Sequence, residues 1–481
     1  MWQPILMING YIISIMGLSM LIPAAYDHYI IKSGDNSFIA AAIITIFIGL
    51  GLFLSNRGKI SKISLRQGYL ITALSWFLCA MFSTLPIMLQ GSMGGFHNAV
   101  FEVFSGISGT GATILTDIES MPRSTLLWRS MLNALGGIGI VIFAVALLPF
   151  LGIGGMQIFQ RENSDFDNKF MPKFSYIAKR IIFVFMLLTG LCCLALKLSG
   201  MDWFDAVNHS FTSVATGGFS TKNESIGAFH SAKIEMILSV FMLLGAFPMT
   251  FYITLLQNKE LKSFRTPQVF FFLKTVALAV FVLICWLIYT KKYGFIDAIR
   301  YAIFNVISVI TTTGYSSANY LEWGSFAVVL FFLISFCGGC TGSTAGSIKM
   351  FRWEILLAYM KRNLVSASEP SRVLPVKIDE KTVGDGIIAS VYIYMSAFFL
   401  TAEVGVLLIS ASGVDIWTSM AAVSACITNV GPGVAEQIGP SGSFAEFSPY
   451  VKYVLSVMMM LGRLEIITVL VIFTKSFWQK S

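Results

Sequence analysis

The feature that most constrains this chain is a series of long apolar runs that carry almost no charge. Runs of this kind occupy residues 5–25, 70–89, 126–151, 181–198 and 387–410. Each approaches or exceeds the ~20 residues that a helix needs to cross a bilayer. Only 12% of the residues are charged and 56% are hydrophobic, which leaves too little polar surface for a water-soluble globule. We therefore predict an all-α polytopic membrane protein.

The hydropathy pattern predicts about ten transmembrane helices. They lie near residues 5–25, 37–55, 68–90, 125–150, 179–199, 233–256, 269–290, 324–348, 386–411 and 449–474. Most Lys and Arg residues, 22 of 33, lie in alternate loops at 56–68, 153–181, 257–274 and 349–383 and at the C-terminus. Positively charged loops stay in the cytoplasm, so we predict that both termini are cytoplasmic. The net charge of +8 then reflects topology and anionic lipid rather than nucleic acid.

Four connections on the other side share one pattern, a short half-hydrophobic stretch that ends in glycine and hydroxyl residues. Their final glycines, Gly111, Gly218, Gly314 and Gly431, recur at intervals of 107, 96 and 117 residues. That interval suits two spans plus a re-entrant segment. We predict four pseudo-repeated helix, pore-loop, helix units around one ion pore, preceded by an N-terminal helix pair. The predicted units are residues 1–66, 67–155, 156–258, 259–360 and 361–481.

Each re-entrant stretch contains a residue that favours the start of a helix. These residues are Asn98, Asp205, Asp297 and Asp415, and Asn and Asp are strong N-caps. The roughly ten apolar residues that follow predict four short helices that enter from outside. Their C-terminal ends carry partial negative charge, which favours a dehydrated cation at the membrane centre.

The chain after each short helix is predicted to be extended, with its carbonyls facing the pore axis. Non-helical backbone at membrane depth is tolerated only where it is buried or lines a water-filled path, and glycine accepts the positive φ values needed. The segments look like degenerate versions of the potassium-channel filter Thr-Val-Gly-Tyr-Gly. The predicted filter residues are Gly109, Thr110, Gly111, Ala112, Thr216, Gly217, Gly218, Phe219, Thr312, Thr313, Gly314, Tyr315, Asn429, Val430, Gly431 and Pro432. The alternative is close packing of small residues between spans.

Two further features predict a gate: a Gly, Ser and Thr-rich stretch at 338–346 and the charged residue Arg463. The stretch interrupts the apolar span that begins at 324, which weakens its helix. It comprises Gly338, Gly339, Thr341, Gly342, Ser343, Thr344, Ala345 and Gly346 around Cys340. The alternative is a helix-packing seam of small residues.

Arg463 lies near the middle of the last span, where a charge costs ~2.5–3.5 kcal/mol. We expect it to face the pore, since Glu465 is only two residues away and lies on another helical face. The alternative is that it pairs with another helix or snorkels to the interface. Glu403, the other charge within a span, is assigned to helix packing.

These motifs resemble the Trk/Ktr/HKT superfamily of cation transporters and, within it, the bacterial TrkH subunits. Trp128 to Gly155, with Leu147 to Gly155 at its end, resembles the second helix of the family's first repeat. Residues 338–346 resemble its intramembrane gating loop, and Leu461 to Ile467 its closing helix. The resemblance implies potassium uptake across the bacterial cytoplasmic membrane, with potassium as transported substrate and no organic cofactor. It also implies a homodimer with one pore per protomer, on a cytosolic ring of NAD- or ATP-binding regulatory subunits.

The filter departs from the commoner family pattern. Only Thr216 and Thr312 place a hydroxyl two positions before the glycine, so discrimination of potassium from sodium is expected to be milder. A weakly selective monovalent cation transporter, or a potassium symporter coupled to protons or sodium, therefore stays open. An enzyme is not expected, because no nucleophile and base are paired within the spans. Acidic residues after the filters either concentrate cations at the mouth or are ordinary solvated residues: Asp117, Glu119, Glu224, Glu322 and Glu436.

Overall fold

The computed structural model describes residues 2–58, 64–146, 170–258, 266–370, 374–378 and 381–479. The predicted motif from Leu147 to Gly155 lies outside the described residues. The first half contains α1 Trp2–Ser19, α2 Leu21–Ala25, α3 Ser37–Ser55, α4 Leu65–Ser83, α5 Leu85–Gln90, α6 Phe96–Ser108, α7 Arg123–Ala146, α8 Phe170–Leu198, α9 Trp203–Val214, α10 Ala232–Ala246 and α11 Met249–Asn258.

The second half is also mainly helical. It contains α12 Pro267–Tyr289, α13 Phe295–Ile310, α14 Ser325–Ser335, α15 Met350–Ser368, α16 Asp385–Ser410, α17 Ile416–Ile427, α18 Pro449–Arg463, α19 Ile467–Leu470 and α20 Lys475–Trp478. Two short antiparallel strands, β1 Lys377–Ile378 and β2 Lys381–Thr382, precede α16. The prediction of a predominantly helical membrane protein is therefore confirmed.

Seven helical segments among the described residues are long and apolar enough to cross a membrane. Two more predicted spans, 233–256 and 449–474, are each a pair of helices joined at a sharp bend. The first bends by 90° between α10 and α11, and the second by 104° between α18 and α19. Pro248 accounts for the first bend, because proline cannot donate a backbone hydrogen bond within a helix. The predicted span 324–348 is helical only as far as Ser335.

The short helices α6, α9, α13 and α17 pack in a closed ring. Each short helix packs against a helix from the neighbouring unit. α9 packs against α7, α13 against α10, α17 against α14, and α6 against α18. The last contact joins the end of the chain to its beginning and closes the circle. Four segments that are distant in sequence are thereby arranged around one axis, with their C-termini converging.

Three of the four predicted N-caps are wrong. Gly95 precedes α6 and Gly294 precedes α13, while Asp202 caps α9 by accepting a hydrogen bond from the Phe204 amide. Asp415 caps α17 as predicted, through the Thr418 amide at 3.0 Å. Asn98 lies inside α6, where its amide donates to the Met93 carbonyl and its oxygen accepts from Lys452. Asp205 and Asp297 lie in the first turns of their helices, where a carboxylate still complements the helix dipole.

Candidate ion pathway

The four short helices end in the same hydrogen-bonded motif. In each, one amide beyond the helix donates to a carbonyl five residues back at 2.8–3.0 Å; the donors are Thr110, Gly217, Thr313 and Val430. The amide one position earlier donates to a carbonyl three residues back. This pair of bonds is the Schellman motif, which ends a helix with one residue in the left-handed conformation. The same ending therefore occurs four times at matching positions.

The left-handed residue is a glycine only in the first segment. It is Gly109 there, with φ of +67°, but Thr216, Thr312 and Asn429 take φ values of +49°, +58° and +57° in the other three. Positive φ is a genuine outlier for a β-branched residue such as threonine. Strained backbone of this kind clusters at functional sites. Sequence reasoning identified these positions as filter residues but not their strained geometry.

Four glycines, each two positions after one of these left-handed residues, form a closed ring. Each filter glycine has positive φ, from +71° at Gly218 to +98° at Gly431. A Cβ built on Gly111, Gly218, Gly314 or Gly431 would lie 1.7–2.4 Å from a carbonyl oxygen of the next segment. Those carbonyls belong to Gly217, Thr313, Val430 and Thr110 respectively. Each glycine thus packs against its neighbour's carbonyl, and the fourth returns to the first.

A cavity of about 180 Å³ lies on the outer side of this ring, and all four filter glycines line it. Of the residues that follow the glycines, Ala112, Phe219 and Tyr315 are at most 2% exposed, although Ala112 and Phe219, together with the half-buried Pro432, also line the cavity. The Tyr315 hydroxyl is hydrogen-bonded to Thr212 behind the ring. At the four glycines themselves, backbone carbonyls rather than side chains lie between neighbouring segments, and backbone carbonyls are the groups that replace the hydration shell of potassium in channels.

Side chains at the left-handed positions connect the ring to the segment between α14 and α15. The Thr312 hydroxyl accepts from the Gly346 amide at 2.7 Å, and the Thr216 hydroxyl lies 3.2 Å from that of Thr344. A Cβ on Gly346 would lie 2.8 Å from the Asn429 Cβ. The predicted gating loop thus lies directly against three of the four segments.

The loop itself is fully buried and not helical. Residues 338–346, which include Gly338, Gly339, Thr341, Gly342, Ser343, Thr344, Ala345 and Gly346, are all buried. No helix covers 336–349, so the alternative of a helix-packing seam is wrong.

Its backbone is bonded to the broken end of α10. The Cys340 amide donates to the Ala246 carbonyl and the Met249 amide to the Gly342 carbonyl, both at 2.9 Å. The Thr344 hydroxyl lies 2.9 Å from the Val214 carbonyl and 3.0 Å from that of Gly245. The bend between α10 and α11 therefore supplies the partners that an irregular segment needs at membrane depth.

Arg463 ends α18 beneath the first segment of the ring. Its Nη2 would lie 3.4 Å from a Cβ on Gly109, and its side chain is 3% exposed. All three guanidinium nitrogens are without a hydrogen-bond partner among the described residues. The alternative of a buried ion pair for Arg463 therefore finds no support in this part of the chain. The geometry leaves the charge directed at the backbone of the pathway.

A second buried cluster, which was not predicted from the sequence, links the loop to the last helices. Arg352 in α15 forms an ion pair with Glu465 at 2.6 Å, and its guanidinium lies 3.6 Å from the Tyr394 ring centre. Lys349 donates to the Ala345 carbonyl within the loop. Arg352 and Glu465 are 113 residues apart, so no local spacing signals their pairing. The cluster joins the loop's exit to the α18–α19 bend.

The remaining predicted charges lie away from the ring. Glu403 is exposed on the surface of α16, so it is not packed between helices of the described chain, and its role stays open. Asp117 lies in the outer loop after the first filter segment, where hydrogen bonds from Asn223 and Ser120 lower its pKa. Glu119 forms an exposed ion pair with Lys222 at 3.8 Å. A pair of that kind contributes little to stability.

Comparison with known proteins decides the family. A model of a family of cation transport proteins, TrkH, matches residues 34–480. The chain belongs to the TrkH family. It is 37% identical over 480 residues to the Trk system potassium uptake protein TrkH of Halomonas elongata, covering 99% of each chain. It is 34% identical over 487 residues to TrkH of Escherichia coli K12, covering 100% of each.

The solved structures agree with this assignment. The crystal structure of the potassium transporter TrkH from Vibrio parahaemolyticus superposes with a TM-score of 0.92 at 31% identity, and the match covers 100% of both chains. The TrkH family consists of transporters rather than enzymes. Together with the seven long apolar helices among the described residues, this makes the chain a multi-pass membrane transporter of the TrkH family.

Proposed function

We propose that the chain is the pore subunit of a potassium uptake system in the bacterial cytoplasmic membrane. The observation that carries the proposal is the closed ring in which each filter glycine packs against the carbonyl of the next segment. Its four members, Gly111, Gly218, Gly314 and Gly431, come from four separate parts of the chain. The similarity to potassium uptake proteins of Halomonas elongata and Escherichia coli supports potassium as the transported ion.

The filter in this proposal consists of the four segments 109–112, 216–219, 312–315 and 429–432. Carbonyl oxygens replace the ion's water, and the C-terminal ends of α6, α9, α13 and α17 add partial negative charge. The four positions that end the short helices hold different residues, Gly109, Thr216, Thr312 and Asn429. The filter is therefore asymmetric on the side that faces the loop. This asymmetry favours a moderate rather than a strict preference for potassium over sodium.

The gate consists of the loop at 338–346 and Arg463. Both lie beneath the ring, and the Arg463 guanidinium has no partner among the described side chains or carbonyls. A fixed positive charge repels a cation at 4 Å by up to ~4 kcal/mol for an effective dielectric constant of 20. The closed pathway therefore holds a positive charge and a folded loop between the filter and the cytoplasm.

The proposed assembly is a homodimer in membrane lipid, with one pore per protomer and both termini in the cytoplasm. A cytosolic TrkA-like ring that binds NAD or ATP is the proposed regulator. The similarity to proteins named as parts of a Trk system supports a further subunit. The Lys and Arg residues at 56–68, 153–181, 257–274 and 349–383 support the orientation.

The test is flux in liposomes that contain the purified protein. Gradients of potassium, rubidium, sodium and lithium are applied with and without the cytosolic regulator. We expect potassium and rubidium to move faster than sodium and lithium. Flux of none of the four cations under any condition would contradict the proposal. Single-molecule currents compared with flux stoichiometry distinguish a channel from a symporter coupled to protons or sodium.

A further inference from the structure

The residue nine positions before each filter glycine occupies an equivalent place in its short helix. These residues are Glu102, His209, Asn305 and Ala422, and each is at most 1% exposed. Three of them are polar, although they lie among apolar helices where an unsatisfied polar group is costly. Their hydrogen-bond partners therefore indicate why polar residues occur there.

In the first segment, Glu102 binds the chain that leaves the filter. Its carboxylate accepts from the Thr113 hydroxyl at 2.8 Å and from the Ile114 amide at 2.9 Å. These residues follow Gly111 by two and three positions. The carboxylate thus holds the outer strand of the filter segment from behind, on the side away from the ion path.

The second and third segments make the same connection with different chemistry. His209 Nε2 lies 3.0 Å from the Ser220 hydroxyl, two positions after Gly218. Asn305 donates to the Ser317 hydroxyl at 2.9 Å and accepts from the Ser317 amide at 3.3 Å, three positions after Gly314. A carboxylate, an imidazole and an amide thus each form a hydrogen bond to the strand that follows the filter glycine. The three segments share this hydrogen bond, although the residue type differs.

The fourth segment lacks this connection. Ala422 has no polar side-chain atom, and the outer strand is bonded instead to its own loop, where the Gly433 amide donates to the Ile438 carbonyl at 2.6 Å. The Tyr320 hydroxyl also donates to the Gly433 carbonyl, at 3.4 Å. The filter is therefore supported from behind in three segments by the short helix and in one by the outer loop.

Arg129 of α7 extends the first connection to the second segment. Its Nε donates to Glu102 at 2.7 Å, and Nη1 donates to the Ser220 carbonyl at 3.2 Å. Its guanidinium carbon lies 4.1 Å above the Phe219 ring. Hydrogen bonds between ionised partners are about twice as strong as neutral ones. One buried ion pair thus fixes the outer strands of two neighbouring segments.

We propose that Glu102, His209 and Asn305, with Arg129, are positioning residues that set ion selectivity by holding the filter carbonyls at a fixed separation. The inference rests on the proposed filter. Carbonyl oxygens that converge on an axis repel one another, so a ring without support from behind widens. A wider ring replaces the water of potassium less well and discriminates less against sodium.

The test measures the potassium-to-sodium flux ratio of purified, monodisperse variants in liposomes. Glu102→Gln replaces one of the two accepting oxygens by an amide donor and removes the charge that pairs with Arg129, and Asn305→Leu removes the connection of the third segment; neither changes the side-chain volume much. Each is expected to lower the ratio roughly tenfold, the effect of losing about one strong hydrogen bond, while total cation flux persists. Asn305→Leu introduces no unpaired charge, so it decides the matter if Glu102→Gln fails to fold.

Glu235→Gln is the matched control. Glu235 also forms a buried ion pair, with Arg300 at 2.6 Å, but that pair links α10 to the first turns of α13 and does not touch a filter strand. The ratio is expected to stay unchanged in this variant. An equal fall in Glu235→Gln would show that any loosening of the helices lowers selectivity, which overturns the positioning role.

Gly314→Ala separates this inference from the proposed function. If Gly314→Ala loses selectivity while Glu102→Gln and Asn305→Leu keep it, the filter stands and the positioning role is overturned. If folded Gly314→Ala also keeps the wild-type ratio, the proposed filter itself is wrong.

Discussion

The outer and inner halves of the pathway are built in different ways. At the filter, four segments repeat one helix ending and one glycine-to-carbonyl packing. Below it, the repetition ends: α7 is continuous over its described residues, α10 and α18 lead into bends of 90° and 104°, and α14 gives way to an irregular loop. A repeated element can surround an ion symmetrically, whereas an element present once can move without disturbing the others. This difference supports the proposal that selectivity resides in the repeated part and gating in the unique part.

The largest expected effect is in the repeated part. Gly218→Ala places a Cβ 1.7 Å from the Thr313 carbonyl oxygen, and this backbone contact cannot relax without displacing the neighbouring segment. We expect loss of potassium flux or of selectivity, measured in liposomes. Gly190→Ala is the control, because a Cβ there meets nothing within 4 Å. A folded Gly218→Ala protein with normal ion preference would show that the ring does not contact the ion.

The next effect concerns the unique part. Arg463→Ala removes a charge without a hydrogen-bond partner among the described groups, and we expect flux to rise tenfold or more, given the repulsion of up to ~4 kcal/mol. Deletion within 341–345 should act in the same direction. Selectivity should remain, since the filter is a separate segment. A folded Arg463→Ala protein that conducts no faster than wild type would contradict the gate assignment, while misfolding would indicate a structural role.

A smaller effect is expected from the connection between loop and bend. Thr344→Val keeps the side-chain shape but removes the hydroxyl that bonds the Val214 and Gly245 carbonyls. The closed loop should lose roughly 1 kcal/mol of support, so flux should rise several-fold without a change in ion preference. Thr275→Val provides the comparison, because its hydroxyl bonds only within α12. Equal flux from both variants would place the gate elsewhere.

The smallest effect concerns the start of a short helix. Asp202→Ala removes the N-cap of α9 and should lower the free energy of unfolding by about 1 kcal/mol, measured by denaturation in detergent. Asp297→Ala removes a first-turn carboxylate that does not cap α13 and should cost less. Neither variant should change ion preference. A larger cost for Asp297→Ala would favour the cap positions that the sequence suggests.

The sequence predicted the repeated part of the molecule better than the unique part. Glycine spacing and apolar half-helices locate the four short helices and the four glycines that pack in a ring, because that pattern is local and occurs four times. Positive φ at Thr216 and Thr312 runs against the preference of threonine, so tertiary contacts rather than local sequence impose it. The pair of Arg352 and Glu465 was beyond prediction, since residues 113 positions apart meet only after the four units assemble.

The bends were missed for a similar reason. An apolar stretch such as 449–474 reads as a span whether or not it stays straight, and the break follows from the left-handed Glu465, with φ of +61°, which pairs with Arg352. The N-caps were misplaced by about one helical turn, because Gly95 and Gly294 give a weaker signal than the nearby Asn98 and Asp297. The sequence thus predicted which segments are helical. It did not predict where those helices bend, because the bends depend on contacts with residues that are distant in the sequence.

The bonds between the loop and the broken end of α10 have a consequence for the solvent. The Cys340 amide is bonded to the Ala246 carbonyl, and the Met249 amide to the Gly342 carbonyl. A loop that swings aside separates these groups at membrane depth, and water has to enter to bond them. With the proposed gate, the conducting state would contain more water than the closed one, so we expect its population to depend on osmotic pressure. Solutes too large to enter the pathway would withdraw that water and favour closure.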